Sequence, residues 1–233
     1  MRVGVIQSNY LPWRGYFDFI RSVDLFVFYD DMQYTKGDWR NRNKIKTPRG
    51  TEWITVPVFN KQLAKLICET QIDYTTDWGF KHRRLFEMHY KQAPFRDLML
   101  SLVEDLGSTG EINISALNIR LIRRICEFLH ISTPTLLSSE LGLQGTKTER
   151  LINLLKKVNG TTYLSGPAAD VYLDKDMFRQ SGITLEYKSY SYAPYPQLWG
   201  PFDGAVTILD LIANCGSEAE RHIVSQTPNC GIL

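Results

Sequence analysis

Two short apolar runs near the start of the chain, Val3-Gly4-Val5-Ile6 and Leu25-Phe26-Val27-Phe28-Tyr29, do most to limit what this sequence can become. Both are rich in β-branched or aromatic residues without polar alternation, the pattern of parallel strands buried on both faces. Between them Tyr16, Phe17 and Ile20 recur at helical spacing. A strand, a loop, a helix and a second strand within about 30 residues make a βαβ unit, whose crossover opens a crevice at the carboxyl ends of the strands. Gln7 to Trp13 and the pair Asp30-Asp31 both fall at that edge.

The texture then changes. Asn43 to Thr47, the turn Pro48-Arg49-Gly50 and Trp53 to Val58 read as an antiparallel hairpin that would make the sheet mixed. Residues 79 to 131 read as helical throughout; Leu117, Leu121, Ile122, Ile125, Phe128 and Leu129 line one face, with Ser115 as N-cap. Thr146 to Glu149 has capping-box spacing before a helix that Asn159-Gly160 ends. A strand at 161 to 164, a small-residue loop, a strand at 183 to 187 and a helix at 208 to 214 complete the pattern. The expected fold is a single α/β domain over 1–233: a mainly parallel central sheet with a Rossmann-like βαβ start, an antiparallel hairpin and a helical subregion at 79–131.

Charge and cysteine usage narrow the function. With 27 Lys plus Arg against 25 Asp plus Glu, the net charge of +2 offers no global attraction for DNA or an anionic membrane, so any polyanion site must be local. The first apolar stretch breaks at Gln7-Ser8-Asn9, short of a secretory core, and no window reaches the length of a membrane span. Cys68, Cys126, Cys215 and Cys230 form no CxxC pair, and the four histidines show no ligand spacing, so neither a disulfide framework nor a zinc ribbon is expected. A reducing cytoplasm is the consistent location, and no cofactor is called for.

Four segments carry chemistry. In Gln7 to Phe17, Gln7 is an amide ending a buried strand, Tyr10 and Trp13 offer aromatic faces, and Arg14 adds a charge at a helix start suited to a nucleotide phosphate. The position corresponds to the His-x-Gly-His corner of nucleotidylyltransferase-like folds, but Trp13-Arg14-Gly15-Tyr16 holds no histidine, which leaves adenylyl transfer as an alternative. In the second segment Asp30 and Asp31 follow a parallel strand, where carboxylates can hold a ribose, an amine or a magnesium ion. Lys36 to Arg49 then carries six basic residues and one acidic; Arg40, Arg42, Lys44 and Lys46 alternate, so on a strand they would share a face beside Trp39. That run reads either as a solvated edge guarded against aggregation or as a binding face; Gln33, Asn41 and Asn43, amides that an edge does not need, favour the second. The third segment, Gly142 to Arg150, puts glycines before a helix opening with Lys147, without the spacing of a Walker loop. The fourth leads a strand into Ser165-Gly166-Pro167-Ala168, where backbone can approach a ligand; Ser165 lacks the context of a nucleophile. The catalytic candidates are thus Asp30, Asp31 and Gln7, and the other residues singled out are binding candidates.

Gln-x-x-Tyr-x-Pro-Trp-x-Gly-Tyr-Phe at 7 to 17, Tyr-Asp-Asp-x-x-Tyr at 29 to 34, Trp-x-Asn-Arg-Asn-x-Ile at 39 to 45 and Tyr-Leu-Ser-Gly-Pro-Ala at 163 to 168 together resemble the WbqC-like protein family. The stretch Leu-Asp-Leu-Ile-Ala-Asn-Cys-Gly at 209 to 216 fits that family's closing helix, so the resemblance spans essentially the whole chain. Where the family commonly has proline after the glutamine, this chain has Ser8, which relaxes the loop. The resemblance implies a place in O-antigen, lipopolysaccharide or other surface-polysaccharide assembly, or in natural-product biosynthesis. It suggests a transferase forming an amide on a nucleotide-linked amino sugar or other small amine, from an acyl or aminoacyl donor. A tRNA-borne donor and a non-catalytic nucleotide- or RNA-binding module are the alternatives.

Overall fold

The computed structural model describes residues 1–59 and 65–231. Its strands are β1 (Arg2–Ile6), β2 (Leu25–Phe28), β3 (Arg42–Thr47), β4 (Gly50–Thr55), β5 (Thr135–Leu137), β6 (Thr162–Ser165), β7 (Thr184–Tyr187) and β8 (Cys230–Gly231). Six of them form one sheet in the order β5-β2-β1-β6-β7-β8, parallel except for β8, which runs antiparallel to β7 at the edge. Val3 pairs with Leu25 and Ile6 with Phe28, so the two runs that open the sequence are neighbouring parallel strands. The hairpin β3–β4 is a separate two-stranded sheet. It does not mix the main sheet, because its apolar residues Ile45 and Ile54 are buried among the helices instead.

The helices are α1 (Arg14–Arg21), α2 (Trp78–His89), α3 (Arg96–Ser101), α4 (Ile114–Phe128), α5 (Lys147–Lys157), α6 (Lys175–Ser181), α7 (Ile208–Cys215) and the single turn α8 (Ala219–His222). The stretch expected to be helical throughout is therefore three helices. Pro94, which cannot continue a helix, precedes α3, and Gly107 and Gly110 in left-handed conformations lie between α3 and α4. The N-cap of α4 is Asn113, not Ser115: the Asn113 side chain accepts from Ala116 N–H at 2.9 Å. Thr146 does sit at the start of α5, but its side chain makes no capping bond. Lys147 beside it takes φ +49°, which turns the backbone away from box geometry.

Alternation along β1 and β2 gives the sheet two cores. Val3, Val5 and Val27 face α5 and α6 through Leu151, Leu155 and Phe178. Phe26 and Phe28 face the larger core, which α1, α4, α7 and the hairpin share. Gly4 belongs to this second face, where a Cβ would lie 2.4 Å from the Phe19 ring; its absence lets α1 lie against the strand. From β1 the chain moves outward to β2 and β5, then returns to the other side of β1 for β6 and β7. The strand order reverses between β1 and β6, and a crevice at their carboxyl ends follows from that reversal.

Candidate functional site

A cleft of about 820 Å³ occupies that crevice. Gln7, immediately past β1, and Ser165 and Gly166, at the end of β6, line it, and Lys147 comes in from the start of α5. Arg40 joins them from the segment before β3. Five of the candidates read from the sequence, drawn from four separate segments, therefore share one surface. Tyr29, Tyr163 and Tyr172 add aromatic walls, and burial raises all three phenols, which keeps them protonated as hydrogen-bond donors near neutral pH.

Arg40 organises the loop that ends β1. Its Nη1 donates to Asn9 Oδ1 at 2.6 Å, its Nη2 donates to Gln7 Oε1, and Asp38 lies 3.4 Å away. Guanidinium nitrogens only donate, so both amide oxygens must turn toward Arg40 and both amide N–H₂ groups away from it. Gln7 thus carries a donor at the cleft, while Asn9 carries one at a second cavity that it helps to line. Burial lowers the pKa of Arg40, the expected response of a cation with limited access to water.

That second cavity, of about 420 Å³, is walled by Trp13, Trp39, Tyr190 and Tyr192 and also meets Arg14. Trp13 folds back over Gly15, where a Cβ would lie 2.3 Å from the indole. Arg14 is 5% exposed and packs on the rings of Tyr192 at 4.7 Å, Tyr195 at 5.2 Å and Phe202 at 5.5 Å. Its Nη1 donates to the carbonyls of Ala193 and His222, and no carboxylate pairs with it among the described residues.

Other candidates lie apart from the cleft lining. Asp30 is 2% exposed; its oxygens accept from Ser138 Oγ at 3.1 Å, Ser139 N–H at 3.0 Å and Ser139 Oγ at 2.7 Å, which ties β2 to the turn after β5. Asp31 shares the one Ser138 hydroxyl proton with Asp30, its oxygen lying 2.5 Å from Ser138 Oγ, and pairs with Arg150 of α5, so its carboxylate braces the helix that presents Lys147. Tyr10 is fully buried with its hydroxyl 2.9 Å from His82 Nδ1. Asn41 bonds Val56 O across the hairpin, and Gln33 is exposed beside its bridge to Leu66. Arg42 lies over the ring of Trp53 at 4.1 Å with Lys44 at 5.1 Å, whereas Lys46 is buried against Gln197 and Pro201. The four alternating cations therefore do not form one face: Arg40 precedes the strand and turns inward, and Lys46 is drawn into the core.

One residue that holds the site was not singled out as a candidate: Asn118 donates to Arg40 O at 2.7 Å and Ser8 O at 3.3 Å, which pins the loop after β1. Asn43, singled out as a binding amide, is structural instead: its Nδ2 donates to Leu11 O at 2.8 Å, fixing a residue at φ +43°. Asn118 follows Leu117 on the apolar face of α4, and an amide in such a place needs partners; that was the available signal. Among the described residues no group of His, Cys, Asp and Glu could hold a metal ion, and no helix is long and apolar enough to cross a membrane.

Comparison with known proteins agrees with these motifs. Uncharacterized protein Rv1507c of Mycobacterium tuberculosis is 47% identical over 225 residues, covering 95% of this chain and 97% of the relative. No solved structure matches the chain. The profile of the WbqC-like protein family matches residues 7–222, which include the aromatic cavity and all of the cleft lining but Val5 and Ile6, and the chain belongs to that family.

Proposed function

We propose that this protein is a transferase of surface-polysaccharide or natural-product assembly that places an acyl or aminoacyl group on the amine of a nucleotide-linked amino sugar or related small amine. The observation that carries the reading is the meeting of Arg40 and Lys147, from opposite halves of the chain, with the Gln7 amide in one cleft at the topological switch point. Ligands of open parallel sheets bind there, and the volume suits a small molecule. Lys147 is exposed and has no partner among the described residues, so its charge is free for an anion such as a pyrophosphate.

In the reaction, the amine nitrogen attacks the acyl carbonyl carbon and forms the C–N bond. The bond from that carbon to the donor's sulfur or oxygen breaks, and the proton released by the amine passes to water in the open cleft. The Gln7 N–H₂, directed by Arg40, faces the oxygen on which charge develops. Asp31 acts as a positioning residue through Arg150, and Asp30 holds the strand end on which the site is built.

The test is product formation. The protein is incubated with a UDP-linked amino sugar and, separately, with acyl-coenzyme A thioesters and charged tRNA, and products are read by mass spectrometry. An amide product that Gln7→Ala reduces at least about 100-fold is expected for loss of an oxyanion donor. Absence of amide from every donor, with the nucleotide itself cleaved or transferred, would overturn the reading.

A further inference from the structure

The aromatic cavity and the switch-point cleft are adjacent but separate, and Arg40 stands between them. Asn9 and Trp39 line the cavity; Arg40, which follows Trp39 in the chain and bonds Asn9, lines the cleft. We propose that the cavity seats the base of the nucleotide-linked substrate, a flat ring carrying carbonyl oxygens as a pyrimidine does, and that its phosphates pass Arg40 into the cleft. This rests on the nucleotide-linked substrate proposed above and adds where the nucleotide lies and which ring it carries.

The walls come first. Trp13 and Tyr190 have ring centroids 5.4 Å apart, Trp13 and Tyr192 5.9 Å, and Trp39 is 41% exposed at the rim. Four aromatic faces around 420 Å³ suit a planar ring, since stacking needs only a π-face. The polar groups then choose among rings. The Tyr192 hydroxyl donates to Asp18 at 2.7 Å, and Asn43 Nδ2 is used by the carbonyls of Tyr10 and Leu11, so neither is offered to a ligand. Left without a hydrogen bond among the described residues are Asn9 Nδ2, turned away from Arg40, Arg14 Nη2, the indole N–H groups of Trp13 and Trp39, and the Tyr190 hydroxyl. All but the hydroxyl only donate. A ring edge of carbonyl acceptors satisfies this surplus of donors, whereas the amine edge of adenine finds only the hydroxyl to accept from it. Arg14 also supplies a positive charge without a carboxylate partner among the described residues, as a nucleotide needs.

The test titrates UMP, AMP, inorganic pyrophosphate and benzoate into the full chain, with tryptophan fluorescence and calorimetry as readouts. UMP should quench fluorescence and bind more tightly than AMP. Trp39→Ala should weaken UMP roughly 5- to 100-fold while leaving pyrophosphate affinity unchanged, the loss of one stacking face. Trp13→Leu is the second variant, and thermal denaturation of both checks that they are folded. Equal UMP affinity in the wild type and both folded variants would overturn the proposal, as would preference for AMP. Benzoate binding more tightly than UMP and lost in Trp39→Ala would assign the cavity to an acyl group instead. None of these failures touches amide formation at the cleft, whereas loss of amide product with Trp39-dependent UMP binding intact would remove only the transferase reading.

Discussion

Arg40 Nη1 and Asn9 Oδ1 are joined by a 2.6 Å hydrogen bond between a residue before the hairpin and the loop that ends the first strand. The same guanidinium holds Gln7 Oε1, so one side chain sets the direction of two amides, one lining the cleft and the other the aromatic cavity. Its fork geometry is what allows this, because two donors diverge from one rigid plane.

Replacing Arg40 by Lys keeps the charge and removes the fork. One ammonium cannot hold both amides in those directions, so Arg40→Lys should lose about 1–3 kcal/mol of stability through the amide left without its partner. Pyrophosphate affinity should fall with it. Urea denaturation and calorimetry on the same preparation measure both, and unchanged values for the two would show that the fork is dispensable.

Asp30 gives a contrasting expectation. Its carboxylate accepts from a backbone N–H and two hydroxyls while 2% exposed, and Asp30→Asn would turn an amide N–H₂ toward a group that itself donates. A loss of about 1–3 kcal/mol in urea denaturation is expected, as for a buried charged acceptor replaced. If the variant is as stable as the wild type yet inactive, Asp30 acts in chemistry rather than in joining β2 to the turn after β5.

The fold was largely legible because its signals are local. The runs at Val3 and Leu25, the helical spacing around Leu117 and the Asn159-Gly160 stop each report on their own neighbourhood, and each corresponds to an observed element. The hairpin was legible as a hairpin but not in its sheet, since strand pairing at a distance leaves no local trace. Within the site, Gln7, Arg40, Lys147, Ser165 and Gly166 converge because all lie at strand ends or loop boundaries that the topology brings to one edge. The division of Trp13, Arg14 and Trp39 into a second cavity was not legible, because it depends on which way Arg40 turns. Nor was the sequestration of Asp30 and Asp31, whose partners Ser138, Ser139 and Arg150 lie more than a hundred residues away in the chain.

Acid sensitivity should come in part from His82. Burial lowers its pKa from 6.5 to about 4, and the ring sits 2.9 Å from the Tyr10 hydroxyl. Between those values the unfolded chain binds a proton that the folded chain refuses, so stability rises with pH across the window. The contribution is fully present above pH 6.5 and is lost as pH falls toward 4. Its size is about 3–4 kcal/mol, from about 1.4 kcal/mol per pKa unit. His82→Gln, which keeps an acceptor for Tyr10, should flatten the stability profile between pH 6.5 and 4 relative to the wild type. An equally steep profile would place the titration elsewhere.

Lys147 separates binding from folding most cleanly. It is exposed, has no partner among the described residues and holds φ +49°, a conformation glycine adopts without strain. Lys147→Gly should therefore leave stability unchanged or raise it by up to about 1 kcal/mol. The decisive measurement is calorimetric titration of UDP into the wild type and Lys147→Gly at physiological salt. Affinity at least about tenfold weaker in the variant, with its thermal midpoint preserved, is the predicted result for loss of a charge-assisted contact in the switch-point cleft. Equal affinity in the two proteins would contradict the placement of an anionic substrate there.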